Sequence, residues 1–149
     1  MSTIRLTKKF HFEMAHALWN YDGPCKNIHG HSYKLYVTVI GQPINDVNNP
    51  KYGMLIDFSD LKQIVNSQIV ELFDHAFVFK KNKKVETILK DEKIFGKKII
   101  LDYQPTSENL VVDFAKKIKN YLPENVKLHS IKLYETATSF AEWYASDNE

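Results

Sequence analysis

Cys25-Lys-Asn-Ile-His29-Gly-His31-Ser-Tyr33-Lys-Leu35-Tyr-Val37-Thr-Val39-Ile40 alternates from His29 onward, with Tyr33, Leu35, Val37 and Val39 on one face. That period belongs to a half-buried strand. Upstream, Ile4 to His16 alternates in the same way, with Ile4, Leu6, Phe10, Phe12 and Met14 inward. Downstream, Gln42 to Gly53 is the loosest stretch of the chain, holding two prolines and four Asn or Asp residues, and reads as a hairpin connection.

Helical spacing begins at Asp57 to Phe73, where Leu61, Ile64, Val65, Ile69, Leu72 and Phe73 form a stripe after an Asp/Ser start signal. A second helix starts at Thr106, with Thr106 as N-cap and Glu108 in the first turn, and ends before Pro123. Val126 to Thr136 and Ser139 to Tyr144 alternate again as strands. Between the helices, Ala76 to Tyr103 carries weaker signals: a strand at Ile99 to Tyr103 and a short helix or loop near Val85 to Lys90. The expected class is α+β: an antiparallel four-stranded sheet with two helices on one face. Cover for the other sheet face would come from another subunit.

A chain of 149 residues without repeats or linkers is expected to form one domain over residues 1–149. Its 20 basic and 18 acidic side chains create no broad field for a polyanion, so no nucleic-acid partner is expected. Lys80, Lys81, Lys83 and Lys84 read as a solvated loop. No apolar run approaches the ~20 residues that cross a bilayer, and the alternating N-terminus is unlike a secretory signal. Cys25 is the only cysteine, which excludes an intramolecular disulfide and suits a reducing compartment, so a cytoplasmic location is expected.

His29 and His31 lie two residues apart on a strand, on the same side and about 6–7 Å apart, where two imidazoles can chelate one ion. His16 continues the inward parity of Phe10, Phe12 and Met14 and supplies a third ligand. Three histidines with no matching fourth protein ligand form the pattern of catalytic zinc, whose open position takes water or substrate. Imidazole ligation without a paired carboxylate favours zinc over iron or copper. His11 falls on the opposite parity, and His129 shares a strand face with Ile131 and Leu133; both read as structural or surface residues.

Cys25, four residues before His29, would lie near the metal, where a cationic neighbourhood lowers a thiol's pKa and lets it serve as a base. A small buried apolar residue is the other reading of a lone cysteine. Asp74 beside His75 can orient the imidazole and stabilise its protonated form, or His75 can simply satisfy the last carbonyls of a helix. Glu135 shares parity with Ile131 and Leu133 and so points inward, where a carboxylate needs a bidentate partner. The guanidine-like edge of a pterin or guanine ring offers one. An internal arginine is the alternative, and Arg5 is the only arginine in the chain.

Six pieces in order resemble the 6-pyruvoyltetrahydropterin synthase superfamily of tunnelling-fold enzymes: Phe12-Glu-Met-Ala-His16, Cys25-x3-His29-Gly-His31-Ser-Tyr33, Gly53-Met-Leu-Ile-Asp57-Phe-Ser-Asp-Leu-Lys62, Phe73-Asp74-His75, Pro105-Thr-Ser-Glu-Asn109 and Leu133-Tyr-Glu-Thr136. The resemblance implies zinc on His16, His29 and His31, with Cys25 as proton-abstracting base and Asp74 with His75 as the partner acid–base pair. It further implies that Glu135 anchors the pterin and that Thr106 and Glu108 shape its pocket, Thr106 also capping the helix. The short Cys-x3-His spacing is similar to the 6-carboxytetrahydropterin branch. That branch implies conversion of 7,8-dihydroneopterin triphosphate to 6-carboxy-5,6,7,8-tetrahydropterin with loss of acetaldehyde and triphosphate, on the route to queuosine. Subunits joined edge to edge as a barrel, a homo-oligomeric trimer or dimer of trimers with interfacial pockets, are likewise implied. The alternatives are a pyruvoyl-forming enzyme that keeps all three side-chain carbons and a non-catalytic pterin-binding zinc protein. Two departures stand out: Ala76-Phe-Val-Phe follows Asp74-His75 where the family often has Leu-Asn, and the segment to Pro105 is longer and richer in lysine.

Overall fold

Strand β1 (Ile4–His16) runs antiparallel to β2 (His29–Gly41) over its whole length, and the register sets Phe12 against Tyr33 and His16 against His29. The computed structural model describes residues 2–91 and 93–149. Phe12, Met14, Tyr33, Leu35, Val37 and Val39 are buried, Ile4, Leu6 and Phe10 are partly buried, and the Phe12 and Tyr33 rings stack at 5.2 Å. The strands are joined by a loop with a 3-10 turn at Pro24–Lys26, and the Leu18 N–H donates to the Cys25 carbonyl across it (3.0 Å).

After β2 the chain does not enter a third strand. Gln42 to Gly53 folds on itself, with the Ile44 N–H donating to Met54 and the Gly53 N–H to Ile44 (both 2.9 Å), and then leads into a helix. The hairpin connection read from its composition is therefore corrected to a self-closed strand-to-helix loop. Helix α1 (Phe58–Val65) starts at Asp57, whose side chain accepts from the Ser59 N–H (2.8 Å). It continues through a π-helical stretch (Asn66–Val70) into a last turn, α2 (Glu71–Phe73). The wider π turn shifts the helical phase. Ile69 and Phe73 stay buried while Leu72, expected in the stripe, turns outward.

Strand β3 (Ala76–Lys80) and strand β4 (Lys98–Leu101) flank a short helix, α3 (Lys83–Ile88), capped by Asn82. Helix α4 (Ser107–Lys119), strand β5 (Val126–Thr136), strand β6 (Ser139–Tyr144) and a last turn, α5 (Ala145–Asn148), complete the chain. The described residues form one sheet, ordered β4-β3-β1-β2-β5-β6. The four strands expected from alternation are there and antiparallel, but β3 lies parallel to both β1 and β4. The four-stranded antiparallel sheet is thus corrected to a six-stranded mixed one.

The reason lies in β3 itself. Ala76 and Val78 enter the main core with α1 and α4, whereas Phe77 and Phe79 pack on the opposite face with Ala17 and Leu89. A strand buried on both faces has no alternation to read. Lys83 and Lys84 open α3 instead of lying in a loop, although all four lysines of that run are exposed. Among the described residues, no helix is long and apolar enough to cross a membrane.

Phe114 of α4 joins the two layers, with its ring edge-on to Phe73 at 5.1 Å and to Phe12 at 6.2 Å, and has no solvent exposure. Phe114→Ala is expected to lower unfolding stability by about 3–5 kcal/mol in chemical denaturation, the cost of a large cavity in an aromatic core.

Candidate metal centre and active site

Antiparallel pairing puts His16, the last residue of β1, directly across from His29, the first of β2, and His31 across from Met14. All three side chains share the helix-covered face, and one ring nitrogen from each falls within 4.8 Å of the others. His16 is 1% exposed.

Backbone carbonyls assign the tautomers. A carbonyl can only accept, so the His16 Nδ1–H donates to Pro105 (2.8 Å) and the His29 Nδ1–H to Asn27 (2.7 Å). With Nδ1 of each ring committed to a carbonyl, the two Nε2 atoms face each other at 3.0 Å. His31 Nε2 is buried without a hydrogen-bond partner and stands 3.4 Å from Glu135 Oε1. Burial lowers the pKa of His16 and of His31 below the ordinary imidazole value, with the Glu135 charge opposing it. Three imidazoles whose ring nitrogens converge suit a divalent cation, and the three histidines could hold one.

Glu135 is half-buried at an irregularity of β5, between Tyr134, paired with Phe140, and Thr136, paired with Ser139. Such a bulge aims a side chain off the regular ladder. Its Oε2 accepts from the Ser107 hydroxyl (2.7 Å). Ser107 is 8% exposed and was not among the candidates expected from sequence, because a serine in the first turn of a capped helix is unremarkable there. Arg5 pairs with Ile40 at the far end of the hairpin, so the internal-arginine reading of Glu135 does not hold.

Thr106 caps α4, its hydroxyl accepting from the Asn109 N–H (3.2 Å). Cys25, Thr106, Ser107, Glu108 and Glu135 border one cavity of roughly 350 Å³. Asp74 and His75 lie where α2 ends. Asp74 Oδ1 accepts from the Glu13 peptide N–H (2.9 Å), Oδ2 lies 3.0 Å from His75 Nδ1, and the His75 N–H donates to the Glu13 carbonyl (2.6 Å). The Glu13 N–H foremost, then His75 and Lys97, hold the Asp74 carboxyl below its usual range. The His75 side chain is 76% exposed and borders a different cavity, roughly 500 Å³, together with Glu13, His31, Ser32 and Lys97. Within one chain, then, Cys25 and His75 border separate cavities. His11 is exposed on the outer parity, and His129 sits partly exposed beside a register shift of β5, its ring against the Ser130 hydroxyl (2.9 Å).

The chain belongs to the family described as 6-pyruvoyl tetrahydropterin synthase, whose model matches residues 5–146. It is 36% identical over 144 residues to the 6-carboxy-5,6,7,8-tetrahydropterin synthase of Haemophilus influenzae, covering 94% of this chain and 98% of that one. The Aquifex aeolicus protein of the same name is 32% identical over 161 aligned positions, covering 93% and 96% of the two chains. In fold, the chain is similar to a Wolinella succinogenes protein (TM-score 0.80, 20% identity, 97% and 99% covered). It is also similar to the Caenorhabditis elegans 6-pyruvoyl tetrahydropterin synthase (TM-score 0.69, 23% identity, 97% of both chains covered).

Removing one of three converging ligands leaves too few to hold an ion at low concentration. His29→Ala is expected to weaken divalent-metal affinity at least about 100-fold, measured by chelator competition, with the far-ultraviolet dichroism unchanged.

Proposed function

We propose that the chain converts 7,8-dihydroneopterin triphosphate to 6-carboxy-5,6,7,8-tetrahydropterin, taking up one water and releasing acetaldehyde and triphosphate, as a cytoplasmic step toward queuosine. The observation that carries this reading is the convergence of three imidazoles beside a carboxylate held by Ser107 and exposed to a cavity. The names of the relatives and the short Cys25-x3-His29 spacing support the carboxy-forming branch.

In this reading His16, His29 and His31 hold zinc, and among the described residues no fourth protein ligand closes the site. Bound zinc would supply Lewis acidity to the substrate's side-chain hydroxyls. Glu135 binds the pterin through the N3–H and 2-amino group, two parallel donors that match its two oxygens. The Ser107 hydroxyl fixes one of those oxygens, so the ring enters in one orientation. Thr106 and Glu108 shape the same cavity, and Cys25 on its rim serves as the base that takes a proton from the substrate's side chain.

Asp74 orients the His75 imidazole through Nδ1 and stabilises it once protonated, which suits the pair to proton transfer. Because His75 borders a different cavity from Cys25, the complete constellation needs His75 from a neighbouring copy. A homo-oligomer, a trimer or a dimer of trimers, would supply it and would also cover sheet edges.

A second reading, suggested by the family's description, is a pyruvoyl-forming enzyme that expels triphosphate and keeps the side chain whole. Anaerobic turnover by zinc-loaded protein separates them: carboxytetrahydropterin with stoichiometric acetaldehyde is the expected result, and a pyruvoyl product without acetaldehyde would move the chain to the second reading. Shared sites make a further prediction. Cys25→Ala and His75→Ala are each expected to lose at least about 100-fold in turnover, and oligomers reassembled from a mixture of the two should regain activity that neither has alone. Failure of properly mixed oligomers to recover would argue against sites built from two copies.

A further inference from the structure

Lys97 belongs to the lysine-rich segment before Pro105 and to none of the motifs used above. It sits where the acid–base pair needs support. His75 has a left-handed backbone (φ 60°), a conformation that costs a non-glycine residue about 1 kcal/mol or more, so its surroundings must hold it there. On one side the Glu13 peptide does so, accepting from the His75 N–H and donating to the Asp74 carboxylate.

On the other side is Lys97, whose Nζ donates to the carbonyls of Glu71 (2.8 Å) and Asp74 (2.5 Å). These carbonyls lie at the end of the helix, where unpaired C=O groups and the negative end of the dipole attract a cation. The lysine's own backbone is anchored too. Its carbonyl accepts from the Phe77 N–H (2.9 Å), next to the first paired residues of β3 and β4, Phe77 and Lys98. Lys97 therefore ties the last turn of the helix to the strand that follows and brackets Asp74 and His75 between two fixed points. Both Lys97 and His75 line the wall of the larger cavity.

We propose that Lys97 is a positioning residue for the Asp74–His75 pair: by holding the Asp74 carbonyl it sets the direction in which the imidazole is presented. This rests on the reading of Asp74 and His75 as the acid–base pair.

The test uses zinc-loaded, full-length protein, with substrate consumption followed in Lys97→Met, Lys97→Arg, His75→Ala and the Lys97→Met/His75→Ala double variant. Lys97→Met is expected to lower kcat about tenfold with KM within about twofold, as a small misplacement of a reacting group does. Lys97→Arg, which keeps the donors, should recover most of the loss. The double variant should be no slower than His75→Ala, because Lys97 acts through the imidazole. In 15N-histidine spectra the His75 signals should move in Lys97→Met and return toward wild type in Lys97→Arg. Wild-type kcat in Lys97→Met would overturn the proposal, as would a raised KM at unchanged kcat, the mark of a direct triphosphate contact. Loss of zinc, or an unfolding midpoint more than about 5 °C lower, would instead make Lys97 a general stabilising cap. Should His75→Ala turn over normally, the acid–base reading itself falls and the Lys97 role with it; a silent Lys97→Met beside an inactive His75→Ala removes the Lys97 role alone.

Discussion

The pairing of β1 with β2 places His16 opposite His29, and every later feature of the site depends on that register. A slip of one residue would turn the imidazoles to the outer face and expose Phe12 and Tyr33, so the core and the three histidines are aligned by the same constraint. The stacked Phe12 and Tyr33 rings, four residues from His16 and from His29 respectively, hold the hairpin in place just below the cluster. The apolar packing that stabilises the hairpin also brings the three nitrogens together at strand ends, where a ligand can reach them.

A second constraint comes from the short segment Gln104 to Ser107. Its Pro105 carbonyl fixes the His16 tautomer, the Thr106 hydroxyl caps α4, and the Ser107 hydroxyl orients Glu135. The Gln104 amide donates to the Trp19 carbonyl (2.8 Å), tying in the loop that carries Cys25, and Trp19 in turn donates to the end of β3 (3.2 Å). One helix start thus links the histidine cluster, the carboxylate and the cysteine loop. Movement of α4 against the sheet would disturb all of them together, which explains why the aromatic contacts of Phe114 matter to the site as well as to stability.

Reading strands from alternation worked where one face of a strand is buried and the other is not. β1, β2 and β5 have that character and β6 a weaker form of it, with Ala141 and Trp143 only partly buried; the expected limits of all four agree closely with the observed ones. It failed for β3, whose Phe77 and Phe79 are covered by a second small core while Ala76 and Val78 enter the first. Leu72 misled for a related reason: ideal helical spacing does not foresee a π-helical turn. Gln42 to Gly53 had the composition of a turn, but composition does not say which element a turn leads into.

The sequence by itself determined that the three histidines gather on one face, because side-chain parity on a strand is a local property: two histidines two residues apart, and a third closing an inward series, share a face in any sheet that buries that face. It also determined the cap of α4 and the inward aim of Glu135. Only the tertiary structure decided the contacts between residues far apart in the chain. The Pro105 carbonyl reaches His16, Ser107 reaches Glu135, and Lys97 reaches the end of the helix that carries Asp74. It also decided that Cys25 and His75 border different cavities. Such contacts follow from the order and direction of strands in the sheet, which depend on how the whole core packs and leave no periodic mark along the chain.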